Sequence, residues 1–225
     1  MLGMRYTSVV FLSVLCGIGC TREANPTVRS GLRIASVCPS TKESVGPPVE
    51  FTAEPALHAS GVGVHMYRFV HAANEMPFWC GNEVLEGYRV VWVPSFRGAR
   101  LASVVRTKEG WQAEAVEFAD PRALPPAALP STTIANRDHS VPDEKRVTDF
   151  LADVDGSKFW TMPGWRTSTE TDDGAAWIME GRKDGVYRMV SRTNVPDMAF
   201  ENLVRDLFDL ARLAIPEEMR SRTHP

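Results

Sequence analysis

The chain has 225 residues, 25 of them basic and 28 acidic, for a formal net charge of −3. A hydrophobic share of 44% and a charged share of 24% are those of an ordinary globular protein, which excludes a disordered or fibrous chain. The charge balance gives no footprint for nucleic acid, no stretch joins a basic face to an apolar one, and no repeat of solenoid length occurs.

Arg5 precedes an apolar run from Val9 to Ile18 that closes on Gly17-Ile18-Gly19-Cys20. A positive start, an apolar core of about 7–15 residues and small residues before a cut describe a secretory signal, here over 1–19. A spanning helix needs about 20 apolar residues. This run is shorter and is interrupted by Ser13, Gly17 and Gly19. With Cys20 next in line, the segment also resembles a bacterial lipoprotein signal, in which that cysteine receives lipid. The lipoprotein pattern prefers Leu where this chain has Gly17. The expected location is the bacterial cell envelope, anchored by lipid on Cys20 to the outer membrane and facing the periplasm. Plain secretion and an uncleaved anchor are the alternatives.

The four cysteines are Cys16, Cys20, Cys38 and Cys80. Cys16 leaves with the signal, and lipid on Cys20 leaves Cys38 and Cys80 as an even pair in an oxidising compartment. A Cys38–Cys80 bridge would close a loop of roughly 40 residues, worth about 4 kcal/mol in the chain-entropy model. That is a large share of the about 5–15 kcal/mol that holds a domain folded. The other reading is two buried thiols that never meet. Neither makes these cysteines catalytic.

Residues 20–31 are polar and aperiodic, as suits a tether between an anchor and a folded body. A single α+β domain is expected from 32 to 216, with a polar tail at 217–225. Leu32 to Val37 alternates like a strand, and Val49–Thr52, Met66–Ala72 and Tyr88–Val93 follow as strand candidates. Two hairpins are expected, each with a three-residue loop ending in Gly. The first joins Leu101–Thr107 to Trp111–Phe118 through Lys108-Glu109-Gly110. The second joins Ala175–Arg182 to Val186–Arg192 through Lys183-Asp184-Gly185. That loop sets Glu180 opposite Arg188 and Ile178 opposite Val190, and it sets Trp177, Met179, Tyr187 and Met189 on the other face.

Between the hairpins, Pro121 to Asp138 is rich in Pro, Ala, Ser and Thr and reads as a long loop or an internal linker over 121–139. Ser140 with Asp143 then offers a capping-box start, Val147, Phe150, Leu151 and Val154 repeat at helical spacing, and Gly156 stops the run. The last element is a helix that Asn194 can cap, with Pro196 and Asp197 in its first turn and Pro216 past its end. Its stripe of Phe200, Leu203, Val204, Leu207, Phe208 and Ala211 needs a sheet or a helix to cover. The preceding hairpin is its expected partner.

The run Asp173-Gly174-Ala175-Ala176-Trp177-Ile178-Met179-Glu180-Gly181, followed by Gly185-Val186-Tyr187-Arg188-Met189-Val190-Ser191-Arg192, resembles a hairpin recurring in uncharacterised bacterial exported proteins and lipoproteins. A strand like Tyr88–Pro94 and a helix ending near Phe159-Trp160 complete the likeness, which covers roughly residues 88–213. It implies one exported α+β unit. It brings no activity.

Chemistry-bearing motifs are few. His58, His65, His71, His139 and His224 stand at none of the spacings that set two ligands beside one metal. On one strand His65 and His71 would lie about 20 Å apart. No Gly-x-Ser-x-Gly elbow occurs, and Ser60-Gly61-Val62-Gly63 lacks both its first glycine and the Lys-Ser/Thr of a phosphate loop. The adjacency of Asp138 and His139 carries no weight, because catalytic pairs are assembled in space. No cofactor is expected.

Asp172, Asp173 and Glu180 lie near Trp160, Trp165 and Trp177, a mixture also found in carbohydrate sites. Two carboxylates about 5–9 Å apart could act as acid and base on a polymer. The plainer account makes Asp172-Asp173-Gly174 a turn and pairs Glu180 with Arg188. Of the six tryptophans, Trp92, Trp111 and Trp177 suit a core, and Trp165 is the candidate for an exposed binding contact. The leading expectation is a lipid-tethered, non-catalytic binding or assembly module whose partner is an envelope protein or polymer. A hydrolase using Asp173 or Glu180 is the alternative, and an inhibitor-like partner protein shares the same features.

Overall fold

Strands that are apolar on both faces must be covered twice, and the central strands of this chain are of that kind. The computed structural model describes residues 32–33, 68–75, 78, 84–95, 97–120, 132–167, 174–193 and 197–217. Within them the strands are β1 (Leu32–Arg33), β2 (Glu86–Pro94), β3 (Arg100–Thr107), β4 (Gly110–Phe118), β5 (Ile134–Ser140), β6 (Trp165–Thr167), β7 (Ala175–Lys183) and β8 (Val186–Thr193). The helices are α1 (68–72), α2 (Glu144–Gly156) and α3 (Met198–Leu210). The fold is α+β. One sheet runs in the order β1-β8-β7-β2-β3-β4-β5, every neighbouring pair antiparallel. β6 runs parallel to β8 and shares its outer edge with β1.

Period-2 alternation sorts the strands into two cores. One face carries Tyr88, Val90, Trp92, Ala102, Val104, Ala113, Ala115, Trp177, Met179 and Val190, and α2 and α3 cover it. The other carries Val91, Leu101, Val116, Phe118, Ile178, Tyr187 and Met189, with α1 seated on it. Small residues decide where α3 lies. Ala102, Ala113 and Ala115 leave room for Phe200, Leu203, Val204 and Leu207, so α3 approaches β2 and β3 most closely. It also reaches the last hairpin, through Trp177 with its ring 6.1 Å from that of Phe208, and through Arg192 stacked on Phe200. Arg146 near the start of α2 pairs with Asp209 near the end of α3, so the two helices run antiparallel.

The observed caps differ from the expected ones by a few residues. Asp143, not Ser140, caps α2, accepting from the Arg146 backbone N–H at 3.0 Å, while Ser140 ends β5. Asp197 caps α3 through the Phe200 N–H at 3.3 Å, and Asn194 lies outside the described residues. In both cases the shorter spacing wins because an N-cap side chain reaches only two or three residues ahead.

Three expected elements are corrected. The β-formers of Met66–Ala72 predict a strand, yet 68–72 is helical, because Phe69, Val70 and Ala73 fall on one side of a turn and seal the second core. The linker expected over 121–139 includes β5, a polar edge strand paired with β4 along its length. Its Asn136, Arg137, Asp138 and His139 are exposed, which hides the strand from any hydrophobic pattern and also guards the edge against pairing with other chains. The register of the last hairpin is shifted by one residue. Asp184 at φ 52° and Gly185 at φ 72° both take the left-handed conformation, the mark of a two-residue turn, so Lys183 closes on Val186. Glu180 therefore faces Met189, Ile178 faces Ser191, and Arg188 faces Gly181. A one-residue slip exchanges the faces, so Tyr187 and Met189 lie with Glu180 rather than with Trp177.

The first hairpin also closes one residue earlier than its expected three-residue loop, with Thr107 paired to Gly110 at φ 120° and Trp111 facing Arg106. The candidate strand 49–52 and the rest of 32–37 lie outside the described residues.

Gly181 makes the aromatic centre of the first core possible. A Cβ there would lie 2.8 Å from Phe159 Cε1 and 3.0 Å from Tyr88 Cδ1. Those rings, with Phe150 and Trp160, pack edge to face at centroid distances of 5.3 to 6.2 Å. Gly181→Ala is therefore expected to destabilise the fold by about 1–3 kcal/mol, the cost of overpacking a filled core, as read from urea unfolding.

Candidate functional site

Polar side chains in the second core stand in one line across the sheet. Directly opposed residues on β7, β2, β3, β4 and β5 are Glu180, Arg89, Ser103, Glu114 and His139. Exposure rises along the line. Glu180 is 0% exposed, Arg89 1% and Ser103 3%, while the side chains of Glu114 and His139 are 16% and 66% exposed. The row runs from the middle of the sheet to its edge.

Arg89 is the hub. It donates from Nη1 to Glu180 Oε1 at 2.5 Å and from Nε to Glu75 Oε2 at 2.6 Å, and its guanidinium lies 4.2 Å from the centre of the Phe78 ring. Glu75 follows α1 and also accepts from Ser103 Oγ at 3.3 Å. Tyr187 donates its hydroxyl to Glu180 Oε2 at 2.9 Å. A second clasp lies nearer the edge, where Arg137 Nε stands 3.1 Å from Glu114 Oε1 and Nη2 donates to the Ala73 carbonyl. Both clasps therefore fasten the segment carrying α1 to the sheet. Arg89, Glu180 and Glu114 each have an opposite partner, without which their desolvation would be prohibitive.

Burial pushes the Glu114 carboxyl above its usual range, and the neighbouring Glu75 charge adds to the shift, while Arg137, His139 and Arg89 offset part of it. The sign of the linked stability follows. A carboxyl that holds its proton more tightly when folded favours folding at low pH, and that contribution is lost as pH rises through its folded value.

A second feature lies on the opposite face, at the end of the sheet. Trp92, the 97–100 stretch, the 117–120 stretch, Ala135 and the 214–217 stretch after α3 enclose an open cleft of about 840 Å³. Arg100 crosses it, donating to the Ala214 carbonyl at 2.8 Å and standing 3.3 Å from Glu117.

The residues singled out from sequence fall unevenly on these two features. Glu180 joins the polar row, but its expected partner Arg188 points to the other face, where it donates to the Met162 carbonyl. Trp165, expected to be exposed, is half-buried on β6 against the second core. Trp92 and Trp177 are core, their rings 5.6 Å apart, and Trp111 packs partly buried beside them. Cys20, Cys38, Cys80, Asp172, Asp173, His58, His65 and His224 lie outside the described residues. Among the described residues no group of three His, Cys, Asp or Glu side chains is placed to hold a metal. Sequence reading missed Arg89, Glu75 and Glu114. A charged residue in the middle of Tyr88-Arg89-Val90-Val91-Trp92 is the signal that could have found the first, since nothing but an acid across the sheet makes it tolerable there. No protein-family model matches the chain, and no curated protein does.

Glu180→Gln leaves Arg89 with a weaker acceptor, and Glu180→Ala leaves it without one on that side. The alanine variant is expected to lose about 3–5 kcal/mol of stability, the cost of stranding a buried charge, with the glutamine variant between it and wild type in chemical denaturation. Glu114→Gln mimics the protonated carboxyl at every pH. It is expected to match wild type near pH 4 and to gain on it progressively as pH rises above 4.5, measured as the difference in unfolding midpoint across pH 4–8.

Proposed function

We propose that the protein is an exported, lipid-tethered binding module of the bacterial cell envelope, held by lipid on Cys20 and acting without catalysis of its own. The observation that carries this reading is the burial of Glu180. It is the one member of the expected carboxylate pair within the described residues, it has no exposed surface, and its two oxygens accept from Arg89 and Tyr187. A polymer substrate has no approach to it, so its chemistry goes into holding the sheet together. The cleft at the sheet's end, by contrast, is open and lined by side chains of mixed character.

The address supports the tether. The apolar run ends at Cys20, and residues 20–31 have the polar, aperiodic composition that suits a tether. No helix among the described residues is long and apolar enough to cross a membrane. A lipid on Cys20 would therefore be what keeps the domain at a surface. Stable anchoring by acyl chains needs more than one of them, which lipoprotein maturation on a cysteine supplies.

The test is fractionation with mass spectrometry. The wild-type protein is expected in the membrane fraction, with Cys20→Ala released or mislocalised. The mature chain is expected to begin at Cys20 with added lipid mass, and peptides containing Cys38 and Cys80 are expected to run linked without reductant. Recovery of the full-length chain from the cytosol, with Met1 retained and both thiols reduced, would overturn the reading.

A further inference from the structure

We propose that residues 68–75 form a pH-operated latch on the sheet, closed while Glu114 holds a proton and loosened when it ionises. The device belongs to the fold itself and does not depend on the binding-module reading. α1 is short, and its amides bond within the segment, Ala73 N–H to the Phe69 carbonyl at 2.8 Å and Glu75 N–H to the Val70 carbonyl at 3.0 Å. It can therefore lift without breaking a strand ladder. Asn74, at φ 54°, turns the chain after the helix, and Glu75 follows it onto the sheet.

Two polar fasteners and an aromatic contact hold the segment down. Glu75 accepts from Arg89 Nε at 2.6 Å and from Ser103 Oγ at 3.3 Å. The Ala73 carbonyl accepts from Arg137 Nη2. Phe69 lies edge-on to Phe118, with ring centres 4.9 Å apart. Glu114 stands beside both fasteners. It lies directly across from Ser103, the residue that donates to Glu75, and its Oε1 is 3.1 Å from Arg137 Nε. An ionised Glu114 therefore repels Glu75 and competes with the Ala73 carbonyl for Arg137.

The charges along the row call for one proton. Among the described residues, the carboxyls of Glu75, Glu114 and Glu180 pair with the guanidiniums of Arg89 and Arg137, and Arg89 is already shared between Glu75 and Glu180. Three acids against two fixed cations balance when one acid is protonated. Glu114 is the one placed to take that proton. Its Oε1 is buried and accepts no hydrogen bond among the described residues, whereas both oxygens of Glu75 and of Glu180 accept. Burial and the Glu75 charge raise its carboxyl accordingly, against the pull of Arg137, His139 and Arg89. The His139 imidazole, 3.8 Å from Oε1 and 66% exposed, is the remaining titratable group that faces it.

The sign follows from the two states. With the segment closed, Glu114 holds its proton more tightly than with the segment lifted, when Glu75 has withdrawn and water reaches the carboxyl. Rising pH therefore favours opening between the ordinary carboxyl range and the raised one, by up to about tenfold per pH unit. Opening uncovers Leu101, Val116 and Phe118, an apolar strip that packs with Phe69, Val70 and Ala73 in the closed form.

The test is amide hydrogen exchange on the purified protein across pH 4.5–7, corrected for the pH dependence of the exchange chemistry. The Ala73 and Glu75 amides report the latch, and those of Val90 and Val104 in the central ladder report the whole fold. The latch amides are expected to be less protected than the ladder at every pH. Their protection is expected to fall by about threefold or more over that range as the proton leaves. Glu114→Gln is expected to hold their protection level, and His139→Gln to keep the wild-type dependence. Equal protection of latch and ladder amides would mean that the segment never opens by itself, and overturns the proposal. So does a wild-type latch whose protection ignores pH, or a dependence that survives in Glu114→Gln. A dependence that His139→Gln abolishes places the proton on the imidazole, and overturns it as well.

Discussion

A positive charge in the middle of the sheet constrains everything around it. Arg89 sits on β2 between β7 and β3, where water cannot reach it, and its charge is tolerable only if acids are brought to it. Glu180 comes across the sheet and Glu75 comes down from above it. The first contact sets the β2–β7 register, because a slip of one residue would send Glu180 to the helical face. The second ties α1 to the sheet, and α1 supplies Phe69, Val70 and Ala73, which keep that face dry. Burial and pairing thus require each other. Hydrophobic covering makes the ion pairs strong, and the ion pairs decide which covering can dock.

The last hairpin reads differently once its side chains are placed. Trp177 points to the helices and touches Trp92 and Phe208, while Ile178 enters the second core. Glu180 anchors Arg89, and Gly181 yields its volume to Tyr88 and Phe159. Tyr187 closes the set by donating to Glu180. Each of these residues has a packing or pairing task across the sheet. Such a set of tasks is sufficiently explained by folding, and it does not itself point to a reaction.

The elements legible in the sequence were those with strong local patterns. The α+β class, the strands of both hairpins, β2, α2 and α3 with its apolar stripe all stand where periodicity puts them. What escaped was decided by partners distant in sequence. β5 is polar because it lies at an edge, and only its pairing with β4 makes it a strand. α1 is built from β-formers that the second core recruits to a helix. The turn at Asp184-Gly185 fits two loop lengths in sequence, and the difference of one residue turns Arg188 to the face opposite Glu180. The polar row was beyond local reading, since its five members come from five strands. The cleft was too, because it joins a strand end to the chain beyond the last helix.

Covering both faces of a sheet leaves its edges and ends as the places where the molecule can meet another. The β8 edge is taken in part by β1 and β6, and the β5 edge is guarded by exposed charge. The end of the sheet near Trp92 remains, where β3 begins, β4 stops and the chain returns from α3 across Arg100. There a cleft opens between the strand ends and the 214–217 stretch. The opposite arrangement holds at Glu180, whose two oxygens accept from Arg89 and Tyr187. Reactivity needs an accessible group with an unmet demand, and so does recognition. In this fold the open cleft lies at the end of the sheet, while Arg89 and Glu180 in its middle are buried and paired.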